Sequence, residues 1–261
     1  MSLDENGYGL GNRIFLANVG ANSSHRFTSP IFEDGTFEFL PIPEGLHLSG
    51  EKVTRYRDLK AYNQPNSDLL QYIPKRLWDW PAHNDPEFVT FTYGDNCSTS
   101  PRAASLKHIR PGDFLFFLAR LQRWTCGRPT SKFGFYLVGF LEIDEILKDV
   151  TSSPMNEIVD RFAGNAHVRR GLTNPDLWDR FWVFRGTNKS RRFKRAVPIT
   201  RKLATEVFTR ADGQPWCWDQ NRSDLQIIGS YTRSCRCVID PALPGHQARE
   251  NALWTWTFSH R

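Results

Sequence analysis

The stretch Arg110-Pro-Gly-Asp-Phe-Leu-Phe-Phe-Leu-Ala-Arg-Leu121, followed by Phe133-Gly-Phe-Tyr-Leu-Val-Gly-Phe-Leu-Glu-Ile143, decides how the rest of the chain is read. Proline presets the bend at Pro111-Gly112, and glycine accepts the positive φ that such a turn often requires. The run from Phe114 to Leu118 is continuous and apolar, the pattern of a strand buried on both faces. A polar loop over residues 122–132 leads into the second apolar run. Two runs joined in this way predict adjacent antiparallel strands at the centre of one sheet or barrel. Asp113 is expected to accept backbone donors within the turn, a structural role.

Working outward, further strands are expected over residues 13–19, 36–40, 87–93, 180–186, 225–233 and 235–239. Helices are expected over residues 67–73, 151–164 and 247–258, with one more beginning at the cap residue Thr200. The 151–164 segment carries the clearest helix punctuation: a serine cap, Pro154 at the first position, acid in the first turn and Gly164 at the end. Residues 77–86, with Trp78, Trp80, His83 and Asp85, read as an exposed linker. Residues 1–12, rich in glycine and asparagine, read as a disordered leader or an appended remnant, which leaves residues 13–261 as a single elaborated domain.

Charged residues make up 24% of the 261-residue chain and hydrophobic ones 39%, the balance of an ordinary globular protein. No apolar run approaches the roughly 20 residues of a membrane helix. The first residues lack the basic-then-apolar pattern of a secretory signal, so a cytoplasmic protein and no membrane partner are expected. The five cysteines form no Cys-x-x-Cys pair and read as reduced thiols.

Net charge is +6, which by itself points only weakly to a polyanionic partner. Its distribution says more. The segment Arg185-Gly-Thr-Asn-Lys-Ser-Arg-Arg-Phe-Lys-Arg195 holds six basic residues and no acidic one, and aromatics make up 13% of the chain. Basic loops interleaved with aromatics suit phosphate attraction plus base stacking. A solvated basic loop and a tryptophan-rich core are the plain alternative.

Polar loops leave the ends of two expected strands: Ala21-Asn-Ser-Ser-His-Arg-Phe-Thr-Ser-Pro30 and Gly94-Asp-Asn-Cys-Ser-Thr-Ser-Pro101. Rigid strands that deliver polar loops are where sites are commonly built. A lone His25 is more often a hydrogen-bonded structural histidine than a reactive one, and Gly-Asp at a strand end is more often plain turn chemistry. Phosphate-loop, dinucleotide, zinc-protease and nucleophile-elbow motifs are all missing. The seven histidines are dispersed without ligand spacing, so neither a metal nor a cofactor is expected.

The pattern Leu-x-x-Ile-x-Pro-Gly-Asp-Phe-Leu-Phe-Phe, then Tyr-Leu-Val-Gly-Phe-Leu-Glu-Ile, over residues 105–145 resembles the PUA-like superfamily, nearest its EVE, ASCH and YTH branches. A longer likeness runs through Phe15-Leu-Ala-Asn-Val-Gly-Ala-Asn-Ser-Ser-His25, Phe91-Thr-Tyr-Gly-Asp95 and Ile228-Gly-Ser-Tyr-Thr-Arg233. These segments resemble the nucleotide modification associated domain, type three, a bacterial and phage family. The first resemblance implies an α+β fold: a mainly antiparallel, strongly bent β-barrel with peripheral helices. Together the two imply a role beside systems that make or read modified bases, and neither supplies a catalytic residue.

The leading expectation is therefore a nucleic-acid-binding module that recognises a modified or flipped base. Asn18, Asn22, Ser24, His25 and Asp95 are candidate edge readers, and Tyr93, Trp124 and Tyr231 candidate stacking residues. Arg191, Arg192, Lys194, Arg195 and Arg233 are candidate phosphate contacts. The alternative is an enzyme acting on a modified nucleotide or base, hydrolase or transferase in type, with His25 or Asp95 as general acid or base. The partner is DNA, RNA or a nucleotide in either case, and the oligomeric state is left open.

Overall fold

The computed structural model describes residues 11–21, 25–48, 50, 53–63, 67–210, 212–215 and 235–260. Its strands, in chain order, are β1 (Ile14–Val19), β2 (Ser29–Ile31), β3 (Ile42–Pro43), β4 (Ala82–His83), β5 (Thr92–Asp95), β6 (Phe114–Thr125), β7 (Arg128–Val150), β8 (Phe181–Gly186), β9 (Arg191–Pro198) and β10 (Cys235–Ile239). The α-helices are α1 (Asn156–Phe162), α2 (Ala166–Thr173), α3 (Arg201–Val207) and α4 (His246–His260). Asn22, Ser23, Ser24, Cys217, Tyr231 and Arg233 lie outside the described residues, as does the strand expected over residues 225–233.

The two apolar runs pair as expected: β6 and β7 are antiparallel from Phe114↔Glu142 to Thr125↔Arg128. The connection is tighter than its polar composition suggests. Both strands continue through the expected loop and meet at Cys126-Gly127, each with a positive φ. At the other end, Asp113 closes the Pro111-Gly112 turn as expected. It accepts the backbone amides of Arg110 (2.8 Å) and Arg13 (3.1 Å) and pairs with the Arg13 guanidinium at 2.7 Å.

Strand periodicity sends alternate β6 side chains to opposite faces, and both faces are covered. Phe114 and Phe116 look toward α4, where Trp254 packs on them with ring centroids 5.0 and 5.2 Å away. Phe116 also stacks on Phe140 at 5.1 Å. Phe117 faces the other way, against Phe88 at 5.7 Å and Tyr93 at 5.4 Å. A second cluster around Tyr56, Leu40 and Tyr72 anchors the described residues between 40 and 82, and a third around Phe162, Val168 and Trp178 anchors α1 and α2.

The expected antiparallel barrel is not what forms. The main sheet runs β10-β1-β6-β7-β8-β5, with β2 added to β6 and β9 to β7. It is a mixed sheet: β1 lies parallel to β6 from Ile14↔Phe114 to Val19↔Ala119, and β2 is parallel to β6 as well. Among the described residues no ladder joins the terminal strands β10 and β5, so the sheet stays open. Its curl nevertheless brings those edges close enough for Tyr93 Oη and Cys235 Sγ to lie 3.7 Å apart.

Other elements follow their local signals to different degrees. Thr200 caps α3 by accepting the Leu203 amide at 3.1 Å, and α4 fills the expected C-terminal helix. The expected strand over 36–40 makes only isolated bridges, while residues 88–91 turn before β5 begins. The helix expected from residue 151 starts only at Asn156, because β7 runs on to Val150. Among the described residues no helix is long and apolar enough to cross a membrane.

Phe140 is fully buried and touches Phe114, Phe116, Phe193 and Trp254. Phe140→Ala is expected to lower unfolding free energy by about 3–5 kcal/mol, read from urea denaturation.

Candidate functional site

Residues 77–86, expected as an exposed linker, instead enter the body of the protein. The short antiparallel pair β3–β4 sets Ile42 opposite His83 and Pro43 opposite Ala82. Glu44, next along, donates its amide to the Pro81 carbonyl at 2.9 Å, and its own carbonyl accepts Trp80 Nε1–H at 2.9 Å. These bonds fix the Glu44 carboxylate beside His83, with Oε1 2.5 Å from Nδ1. Burial raises the Glu44 carboxyl, yet the His83 hydrogen bond and charge and the Arg170 charge outweigh it and hold the group below its ordinary value.

Asp85 lies two residues beyond His83, its side chain 2% exposed. Its Oδ2 accepts the Gly94 amide of β5 at 2.7 Å and Asn165 Nδ2–H at 3.3 Å. Asn165 also caps α2 by accepting the His167 amide at 2.9 Å, so one side chain orients both Asp85 and the start of that helix. This places His167 Nε2 3.7 Å and His83 Nε2 3.9 Å from Asp85 Oδ2, and the two imidazoles meet edge to face at 4.7 Å. Asp85 Oδ1 and His167 Nδ1 are buried with no hydrogen-bond partner.

Burial dominates the electrostatics. It pushes Asp85 well above the ordinary carboxylate value, against the Gly94 and Asn165 hydrogen bonds and with the charges of Asp95 and Glu87. It pushes His167 well below the ordinary histidine value, helped by the charges of His83 and Arg170. Both shifts favour the uncharged form of the group concerned. One ligand atom from each of His83, Asp85 and His167 falls within 4.8 Å of the others, the spacing of a potential metal-binding group.

On the other side of Glu44 opens a cleft of about 390 Å³, lined by His25, Arg26, Arg76 and Trp80 among others. Arg26 holds a positive φ of 65°, an uncommon backbone state for a residue with a side chain. Of the residues expected at the site, His25 lines this cleft. Tyr93 and Asp95 come together in the buried region, with Tyr93 Oη–H donating to Asp95 Oδ2 at 2.9 Å and Cys235 Sγ 3.7 Å from the same oxygen. Burial raises Asp95 despite these bonds.

The remaining expected site residues are dispersed. Asn18 is exposed on β1, and Trp124 packs edge to face on Tyr72 at 4.8 Å. The expected basic loop is strand β9, on which Arg191, Lys194 and Arg195 are exposed while Arg192 turns inward. Arg192 lies 3.4 Å from Glu38 and 4.0 Å over the Tyr62 ring, and burial lowers its guanidinium to about 10 against the Glu38 charge. Glu44, His83, Asp85 and His167 were not expected at the site. The His83-Asn-Asp85 spacing was the one local signal, since positions i and i+2 share a face in extended chain.

Gly94 is required by close approach: a Cβ there would lie 2.5 Å from His167 Cδ2 and 3.2 Å from Asp85 Oδ2. Gly94→Ala is expected to destabilise the protein by about 1–3 kcal/mol in urea unfolding. Gly45→Ala, whose added carbon would meet nothing within 4 Å, is the control and is expected to leave stability nearly unchanged.

The sequence model of nucleotide modification associated domain 3 matches residues 13–230. No curated protein and no solved structure matches the chain. The match spans most of the chain, including β3, β4, β5 and α2, which carry the buried cluster. The chain therefore belongs to the nucleotide modification associated domain 3 family, which links it to nucleotide modification.

Proposed function

We propose that the cleft beside Glu44 binds a nucleotide, either free or as a base turned out of a strand. The observation that carries this reading is the chemistry of its wall. Arg26, Arg76, Glu44, His25 and Trp80 line about 390 Å³, within the usual size range of small-molecule sites. Guanidiniums take phosphate oxygens bidentately. An indole offers a stacking surface worth roughly 1–3 kcal/mol per base. A carboxylate kept ionised accepts hydrogen bonds from an exocyclic amino group. Membership of a family linked to nucleotide modification supports the same ligand class.

A second reading, turnover of the bound nucleotide, is favoured by the ionisable group of His83, Asp85 and His167, which Glu44 contacts through His83. Perturbed titratable groups beside a cleft are more frequent at functional sites than elsewhere. Incubation with nucleotides and with modified DNA, followed by chromatography of the products, separates the two readings. Unchanged ligand leaves recognition alone.

Binding of a short single-stranded oligonucleotide, followed by anisotropy at several salt concentrations, tests the cleft. Arg26→Glu combined with Arg76→Glu is expected to weaken binding at least about tenfold and to reduce the salt slope by roughly 0.7 for each phosphate no longer neutralised. The same result from Arg191→Glu combined with Lys194→Glu, with the cleft variant unchanged, moves the phosphate path to β9 and overturns this assignment.

A further inference from the structure

We infer that His83, Asp85 and His167 form a binding site for one divalent first-row transition metal ion. The inference goes beyond nucleotide recognition and does not depend on it.

Three observations carry it. The first is the donor set. Two imidazoles and one carboxylate converge from two separate parts of the fold, the segment 83–85 and the helix α2, with their ligand atoms within 4.8 Å of one another. Metal–ligand bonds of about 2.0–2.1 Å place neighbouring donors roughly 3 Å apart. The present spacings of 3.7 and 3.9 Å to Asp85 Oδ2 therefore need closing by about 1 Å or less. Nitrogen and carboxylate donors without thiolate suit iron, cobalt, nickel or zinc better than calcium or magnesium.

The second observation is unused capacity. Asp85 Oδ1 and His167 Nδ1 are buried without a hydrogen-bond partner, and the two side chains are only 2% and 7% exposed. Buried polar atoms are nearly always satisfied, so two orphaned atoms in one cluster call for a missing partner. A cation taken by both oxygens of the Asp85 carboxylate meets that need at Oδ1, while His167 Nδ1 lies on the ring edge away from Nε2 and is left for another partner.

The third is the supporting shell. Ligating histidines typically present their other ring nitrogen to a carboxylate, which fixes tautomer and orientation. Glu44 Oε1 contacts His83 Nδ1 at 2.5 Å, leaving Nε2 directed toward Asp85. The Gly94 amide and the Asn165 side chain hold Asp85 Oδ2 from behind. Asn165 sets the first turn of α2, which bears His167. Gly94 supplies the room, since any side chain at that position would collide with both His167 and Asp85. Three protein donors leave coordination positions open, the arrangement of metal sites that act on ligands rather than merely brace a fold.

The test uses the full chain stripped of metal by chelation, with cobalt(II) alone as the probe and no nucleotide present. Saturable uptake of one cobalt per chain, with visible ligand-field absorption, is the expected result. Absence of one-to-one uptake overturns the site. Asp85→Asn and His167→Gln are each expected to weaken cobalt binding at least about 100-fold, and Glu44→Gln, which removes the orienting carboxylate, about 10- to 100-fold. Undiminished binding by variants with wild-type circular dichroism also overturns it. X-ray absorption of the cobalt-loaded wild-type protein needs no variant. Two imidazoles with oxygen donors are expected, and a sulfur donor or an all-oxygen shell refutes the assignment. Because no nucleotide enters these measurements, failure of the cleft and failure of the metal site are read separately.

Discussion

Everything in the fold answers to one demand, the burial of β6 on both faces. Residues Phe114 to Ala119 are at most 1% exposed, so each side of this strand needs a complete apolar cover. Helix α4 supplies one cover through Trp254, and Phe88 and Tyr93 contribute to the other. At roughly 1.5–3 kcal/mol for each large apolar side chain removed from water, this centre is the dominant stabilising term. It also leaves no room for polar groups in the middle of the sheet. They collect where the sheet ends, at β5. There the edge amide of Gly94 points away from β8 and is met by Asp85 rather than by another strand. A side chain thus closes a sheet edge that would otherwise offer an open donor.

That closure carries an electrostatic cost. Asp85 is buried near Asp95 and Glu87, whose charges oppose its own ionisation, and each buried ion carries a desolvation penalty of several kcal/mol. Two other buried carboxylates are handled differently. Asp113 is matched by Arg13 and backbone amides. Glu38 is matched by Arg192 and the amides of Tyr62 and Asn63. Against those two fully partnered carboxylates, the half-satisfied Asp85 stands out. A fold able to complete the hydrogen bonding of Asp113 and Glu38 had the means to do so at Asp85.

What the sequence disclosed is what depends on neighbouring residues. Continuous apolar runs marked β6 and part of β7, the Pro-Gly-Asp turn marked the start of β6, and Thr200 marked the start of α3. Orientation is not local. The composition of β1 is the same whether it runs parallel or antiparallel to β6, so the open mixed sheet was not readable and a barrel was expected in its place. The basic run 191–195 has the composition of a solvated loop. It becomes a strand because Gly139 and Phe140 on β7 pair with Arg192 and Arg191, and Arg192 turns inward because Glu38, remote in sequence, faces it. For the site, His83 and Asp85 were correctly spaced but lay among tryptophans and prolines that suggested a linker. His167 comes from a helix whose N-terminal cap, Asn165, gave no sign of also reaching Asp85.

Glu44 is where the cleft and the buried group meet. It lines the cleft with Arg26, Arg76 and Trp80, and the same carboxylate touches His83 at 2.5 Å. A ligand that draws on the Glu44 charge competes with His83 for it, and the balance is felt at the His83 ring nitrogen facing Asp85. Buried groups in a medium of low polarity respond strongly to such a shift, because little water is present to screen it. The backbone offers Glu44 little freedom to relax the competition. Its amide and carbonyl are both tied, to Pro81 and to Trp80, and the β3–β4 pairing holds the segment in register. The cleft and the cluster therefore share one residue, Glu44, whose backbone is held in place on both sides.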